Sequence, residues 1–312
     1  MRKTCLNAVY DLAKSDERVV FIGSDLGPGT LDNFREEMPD RFFMEGISEQ
    51  NVIGMAAGLA MEGYIPFVNT IATFITRRCY EQVAMDLCLH NLPVRLIGNG
   101  GGMVYAPLGP THLAIEDIAI MRALPNMTIV APSDAEEMER FVPKTLELPG
   151  PVYIRLGKGG DPVVSKPEHG FEIGRSIMLR PIGDVLIVST GVMTKRALDA
   201  ASRLADDGID CGVMHMHTVK PLDGEALRVA ARKVKVIVTI EEHTINGGLG
   251  SAITDCLVDT LGSPLPMIRR LGIPDTFTNE YGSQDSMLET FGLTVAGIEK
   301  VLLETKSHMS AV

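Results

Sequence analysis

The chain has 312 residues, 45% of them hydrophobic, and a formal net charge of −11. A chain of this length buries roughly 75% of its unfolded surface, so about two domains and a core that needs neither disulfide nor metal are expected. The acidity excludes binding of nucleic acid or an anionic membrane through bulk electrostatics, so any bound phosphate must be held by particular basic side chains or backbone amides.

The first segment, MRKTCLNAVYDLAKSDE, carries charge throughout and is not a signal peptide. Short apolar runs rich in Val and Ile then alternate with longer amphipathic stretches. VVFIGSD from Val19, PFVNTI from Pro66, VRLIGNG from Val94, MTIVAPSD from Met127 and VYIRLG from Val152 predict buried parallel strands. Helical patterns fall between them, over Gln50–Met61, Phe74–His90 and Ala135–Glu147. This is the rhythm of a parallel sheet covered on both faces. GKGGDPVVSKPEHG then has the Gly, Pro and charge of a linker. A second series follows: VLIVSTG from Val185, a helix over Lys195–Asp206, VKVIVTIEEH from Val234, a helix over Gly250–Leu261, PMIRRLGIP, and a closing helix near Val295–Leu303. The predicted fold is α/β, two doubly wound domains over residues 1–165 and 166–312. No apolar run approaches the roughly 20 residues of a membrane helix. The five scattered cysteines, odd in number and without a CxxC pair, read as reduced thiols, so a soluble cytoplasmic protein is expected.

Two glycine-rich turns follow strands. GNGGGM (Gly98–Met103) lacks the spacing of a dinucleotide fingerprint. INGGLG (Ile245–Gly250) opens a helix, where glycine serves either close helix–strand packing or a phosphate cradle. Glu49 opens a helix whose Gly54, Ala56, Ala57, Gly58 and Ala60 suit a close interface. Each candidate taken alone has an ordinary reading. Glu49 is then a first-turn acid favoured by the helix dipole, Phe74 a core aromatic and His112 a turn residue.

Together, and in this order, they carry a resemblance. GSDL at Gly23–Leu26, EGISEQN around Glu49, TFITRRCYEQVAMD from Thr73, GPTHLAIED from Gly109, LPNMTIVAPSDAEE from Leu124, VKPLD, IEEHTINGGLGSAI and GIPDTF span nearly the whole chain. They resemble the pyrimidine-binding and C-terminal domains of thiamine-diphosphate enzymes of the transketolase and deoxyxylulose-phosphate-synthase branch. The resemblance implies that Glu49 exchanges a proton with the cofactor's aminopyrimidine ring and that Phe74 stacks on that ring. It implies that Ile71 and Arg77, at i−3 and i+3 from Phe74, line the ring pocket, that Asp25 and Leu26 lie beside the cofactor, and that His112 bonds an oxygen of the donor substrate. No GDG motif, which in the family holds the metal and the diphosphate, occurs in the chain. The resemblance therefore implies a split enzyme. An N-terminal transketolase subunit would carry that motif and the Mg²⁺ ligands, in an α2β2 assembly acting on small sugars.

Departures from the family's pattern fall at the substrate side. Gly100 stands where transketolases have a substrate-contacting His and Leu108 where they have an Asp. Gly29 replaces a Ser, and Lys158 an Arg, that bind acceptor phosphate, whereas Arg155 matches an Arg of the synthase branch. Lys is a poorer bidentate phosphate clamp than Arg. A roomier, less polar pocket is expected. The implied reaction is transfer of a two-carbon ketol unit from a phosphorylated or otherwise anionic ketose to an aldose. The alternatives are a deoxyxylulose-phosphate-synthase-like condensation, the beta subunit of a 2-oxo acid dehydrogenase, or a non-catalytic regulatory or structural subunit.

Overall fold

A computed structural model describes residues 1–24, 30–157 and 159–310. Helix α1 (Arg2–Ser15) leads into β1 (Val19–Gly23), α2 (Asp32–Glu37), β2 (Phe42–Met44), α3 (Glu49–Met61) and β3 (Ile65–Ile71). A continuous helical run follows, with two π-helical segments, Phe74–Arg78 and Val83–Cys88, flanking the short α4 (Tyr80–Gln82). Next come β4 (Arg95–Asn99), α5 (Asp117–Ala123), β5 (Thr128–Val130), α6 (Ala135–Phe141) and β6 (Val152–Arg155). The second series comprises β7 (Ile177–Arg180), β8 (Val185–Ser189), α7 (Met193–Asp206), β9 (Cys211–His215), β10 (Thr218–Lys220) and α8 (Gly224–Ala231). It closes with β11 (Val236–Thr244), α9 (Leu249–Thr260), β12 (Met267–Ile273), α10 (Gln284–Thr290) and α11 (Val295–Ser310).

The strands form two sheets, ordered β10-β5-β6-β4-β3-β1-β2 and β12-β11-β8-β9-β7. All pairings are parallel except β10 with β5 and β7 with β9. Every residue of β1, β4, β6, β8 and β9 is buried, which is why these strands read as unbroken apolar runs rather than alternating ones. Alternate residues nonetheless serve opposite faces. Phe21 packs with Val9 of α1 and Phe141 of α6, whereas Ile22 packs with Ile53 of α3 and Ile75. In the second sheet Ile187 faces α7 and α11, and Val188 faces α8 and α9.

Two features join the halves. β10, from the second half of the chain, closes the edge of the first sheet. Met103, Ala106, Leu113 and Ile115, from the segment after β4, are buried in the core of the second unit. The helical run predicted over Ala135–Glu147 is α-helical only to Phe141. Pro143, which cannot donate to a continuing α-helix, lies in the 3₁₀ segment Val142–Glu147 that follows. Four of the five cysteines, Cys5, Cys79, Cys88 and Cys211, are buried. Among the described residues, no helix is long and apolar enough to cross a membrane.

Candidate active site

The first sheet is built outward in two directions. The chain passes from β1 to β2 on one side and then returns to lay β3 and β4 on the other. Such a switch point leaves a crevice beyond the carboxyl ends of the central strands, the usual ligand position in an α/β sheet. Ser24, just after β1, donates its hydroxyl to Thr70 Oγ1 near the end of β3 at 2.5 Å and ties the two strand ends together. Asp25, Leu26, Gly29 and Lys158, each singled out in the sequence, lie outside the described residues.

Glu49 is the first residue of α3 and only 4% exposed. Its Oε2 accepts a hydrogen bond from Arg78 Nη1 at 2.9 Å. The guanidinium carbon of Arg78 sits 3.9 Å from the centre of the Phe74 ring. The Phe74 ring in turn meets the imidazole of His112 edge-on, with centroids 5.3 Å apart and planes at 66°. His112 ends the 3₁₀ turn Pro110–His112, and its Nδ1 lies 2.9 Å from the Thr111 hydroxyl. Three residues far apart in sequence are thereby strung around one small space, each placed by a helix start or a turn. Ile71, half-buried, ends β3 in register with Asn99. Beside Phe74 the Thr73 hydroxyl belongs to a residue only 1% exposed and has no hydrogen-bond partner.

Arg77, expected to line the ring pocket, has a carboxylate partner of its own, and it is Arg78 that lies over the Phe74 ring. Arg77 Nη1 donates to Glu116 Oε1 at 2.7 Å. The expectation took an α-helical repeat, but Phe74–Arg78 is π-helical. The wider π turn brings the residue at i+4, Arg78, over the ring. Sequence reading passed over Arg78 for that reason; the paired arginines after TFIT were the available signal.

The residues expected on the substrate side have protein partners of their own. Gly100 has φ +71°, and a Cβ there would collide with the Tyr105 ring. Tyr105 closes over Gly100, so the missing side chain does not leave an open pocket. Gly101 packs equally tightly on Arg155, and Gly102 on Glu242. Arg155 is 7% exposed, and its Nε donates to Asp117 Oδ2 at 2.7 Å. Its Nη2 donates to the carbonyls of Ala114 (3.1 Å) and Glu242 (2.8 Å). The guanidinium thus bolts β6 of the first unit to β11 of the second. Tyr153 also donates to Asp117 Oδ2, at 2.6 Å. Burial acts to raise the Asp117 carboxyl, but Arg155, together with His243 and Tyr153, outweighs burial and holds it below its ordinary value. Glu242, pushed up by burial, accepts from the Met103 amide (2.7 Å) and Gln284 Nε2 (2.9 Å). Tyr281, exposed and in the loop before α10, packs against Gly109 at the head of the GPTH turn. The second unit therefore borders the turn that carries His112.

Comparison with known proteins accords with this geometry. Residues 1–160 match the transketolase pyrimidine-binding domain family, and residues 174–298 the transketolase C-terminal domain family. A 6-deoxy-6-sulfo-D-fructose transketolase subunit of Clostridium sp. (strain MSTE9) is 38% identical over 97% of this chain and 94% of its own length. An apulose-4-phosphate transketolase subunit of Phocaeicola vulgatus is 36% identical over 97% of this chain and 96% of its own. A solved split-gene transketolase, described as an inactive beta4 tetramer, superposes with a TM-score of 0.89 at 38% identity, covering 97% of each chain. The 1-deoxy-D-xylulose-5-phosphate synthase 1 of Geobacter sulfurreducens is 39% identical over 94% of this chain but only 46% of its own length. The chain belongs to the transketolase family and is a transketolase-type subunit of a thiamine-diphosphate-dependent transferase. The site suits the ring of that cofactor. A flat, donor-bearing group already stacks on Phe74 while bonding to Glu49, and the adjacent Thr73 hydroxyl lacks a partner.

Proposed function

We propose that this chain supplies the pyrimidine-binding half of a shared active site in which a two-carbon ketol unit passes from an anionic ketose to an aldose. The observation that carries this reading is the Glu49, Phe74 and His112 constellation, a buried carboxyl and an aromatic face addressing one flat group with an imidazole at the ring's edge. When bound, thiamine diphosphate supplies the acidic carbon and the electron sink. Phe74 would stack on its aminopyrimidine, Ile71 would border it, and Glu49 would exchange a proton with the ring nitrogen, while the roles that the family resemblance gives Asp25 and Leu26 beside the cofactor concern residues outside the described ones. His112 hydrogen-bonds the hydroxyl or carbonyl oxygen of the donor.

The diphosphate and its Mg²⁺ belong, in this reading, to an N-terminal transketolase subunit with the GDG motif, in an α2β2 assembly of the cytoplasm that serves carbohydrate metabolism. The pyrimidine-binding domain spans residues 1–165 and the C-terminal domain 166–312. Support comes from the relatives that this chain matches over nearly their whole length. Two relatives are named as subunits, and a solved one is described as inactive when built of beta chains alone. The substrates in the names of those relatives, a sulfofructose and apulose 4-phosphate, are anionic sugars, which supports an anionic donor here.

Calorimetric titration tests the reading. The chain alone should bind thiamine diphosphate negligibly, and together with the GDG-containing subunit tightly and only with Mg²⁺. Tight metal-dependent binding by the chain alone would remove the split-site reading. A donor screen on the assembled protein should favour a modified anionic ketose over xylulose 5-phosphate, and ordinary transketolase efficiency with the latter would contradict the substrate assignment.

A further inference from the structure

Arg78 occupies the space that the cofactor reading assigns to the aminopyrimidine. Its guanidinium is planar and amidine-like, lies 3.9 Å from the centre of the Phe74 ring, and donates to Glu49 Oε2 at 2.9 Å. A protonated aminopyrimidine would meet the site with the same three properties: a flat π-system, a stacking face and an N–H directed at the carboxyl. The Arg78 side chain is 44% exposed, whereas that of Glu49 is 4% exposed. The contact therefore joins a long surface side chain to a buried carboxyl, and rotation about the arginine's own bonds suffices to release it. Arg77, one residue earlier, is held apart by Glu116 and does not compete for Glu49.

We propose that Arg78 is a latch that stands in for the cofactor ring in the cofactor-free subunit, and that cofactor entry displaces it. The inference rests on the cofactor reading above. Two physical reasons favour a latch over an ordinary surface ion pair. A buried carboxylate without a partner is costly, so Glu49 needs a counterion whenever the cofactor ring is not bound to it. Arginine is also the side chain whose fork and face can satisfy a carboxylate and an aromatic ring together. A latch of this kind lowers apparent cofactor affinity by the fraction of sites it leaves open.

The test uses the full chain assembled with its GDG-containing subunit, wild type against R78K and R78A, with Mg²⁺ and thiamine diphosphate in the calorimeter. R78K keeps the charge but loses the plane and fork, and R78A removes both. Each should bind the cofactor more tightly than wild type, by about three- to tenfold. In the cofactor-free chain, R78A should lower the urea midpoint, and an added E49Q should erase that difference. A purely structural ion pair would change the urea midpoint but leave cofactor affinity alone. Equal or weaker cofactor binding by both variants overturns the latch, and so does an unchanged urea midpoint in R78A. Failure of the wild-type assembly to bind thiamine diphosphate at all would instead remove the functional reading, while the urea comparison still decides whether Arg78 holds Glu49.

Discussion

Glu49 combines burial with a polar partner, and the function proposed for it depends on a proton that it can release. Glu49→Gln keeps the shape and the hydrogen-bonding reach but removes the exchangeable acid. The assembled variant should fold and lose at least about a hundredfold in turnover, within the range of general acid–base contributions. Hydrogen–deuterium exchange at the cofactor's reactive carbon should slow in parallel. Exchange as fast as wild type would reduce Glu49 to a helix-start acid. Arg155 offers a contrasting prediction. Its partners are Asp117 and two backbone carbonyls, so Arg155→Met leaves a fully buried carboxyl with the Tyr153 hydroxyl but without its guanidinium partner. Urea unfolding of the chain without any ligand should then show a loss of roughly 3–5 kcal/mol. A substrate-binding arginine would leave that stability unchanged.

At the scale of elements, α3 has two faces that its composition alone did not separate. Ala56, Ala57 and Ala60 face inward and are buried. Gly54 and Gly58 lie on the exposed face, and a Cβ on either would meet nothing within 4 Å. Changing both to Ala should therefore stabilise the isolated chain, by up to about 1 kcal/mol each, since glycine weakens a helix interior. Changing both to Leu should leave the isolated chain folded. It should weaken assembly with the GDG-containing subunit at least about tenfold, measured by sedimentation, if this face takes the close contact. Undiminished assembly would place the interface elsewhere.

At the scale of the molecule, the two units share a buried polar seam. Glu137 of α6 bonds His215 of β9 at 2.9 Å, and His215 also pairs with Thr194 of α7 at 2.8 Å. His217 stacks on Phe171 with centroids 3.9 Å apart, and its Nε2 is buried without a partner. Burial pulls the His217 imidazole down to about 3 from 6.5. Burial would raise Glu137, but His215 and the neighbouring donors outweigh it and bring the carboxyl down to about 2 from 4.5. Both folded values lie below the unfolded ones. Each contribution is therefore complete above the unfolded value, pH 6.5 for His217 and 4.5 for Glu137, and is lost as pH falls toward the folded value. The stability these two groups contribute should be flat above about pH 6.5 and fall below it, at up to about 1.4 kcal/mol per pH unit for each; buried His243, down to about 4 from 6.5, adds to the fall, and Glu241, raised by burial from 4.5 to about 7, opposes it. His217→Gln should flatten the limb between about pH 6.5 and 4.5. A His217→Gln urea midpoint that falls as steeply as wild type over that range would contradict this assignment.

Local pattern was enough for much of this protein. Buried parallel strands announce themselves as Val- and Ile-rich runs, and a helix beginning at Glu49 shows in its first-turn acid and small residues, because both follow from nearest-neighbour chemistry. The order of the motifs from GSDL to GIPDTF likewise pointed to the family on sequence alone. Tertiary structure decided what depends on contacts distant in sequence. The π-helical turn at Phe74–Arg78 turned Arg77 toward Glu116 and Arg78 toward Glu49. Tyr105 closed over Gly100, and Arg155 met partners 38 and 87 residues away. Short β7 and β10 gave little apolar signal, since each is antiparallel and gains its place at a sheet edge from the strand already there. A side chain's residue type sets what it can bond, but which group it meets is fixed only when the chain has packed.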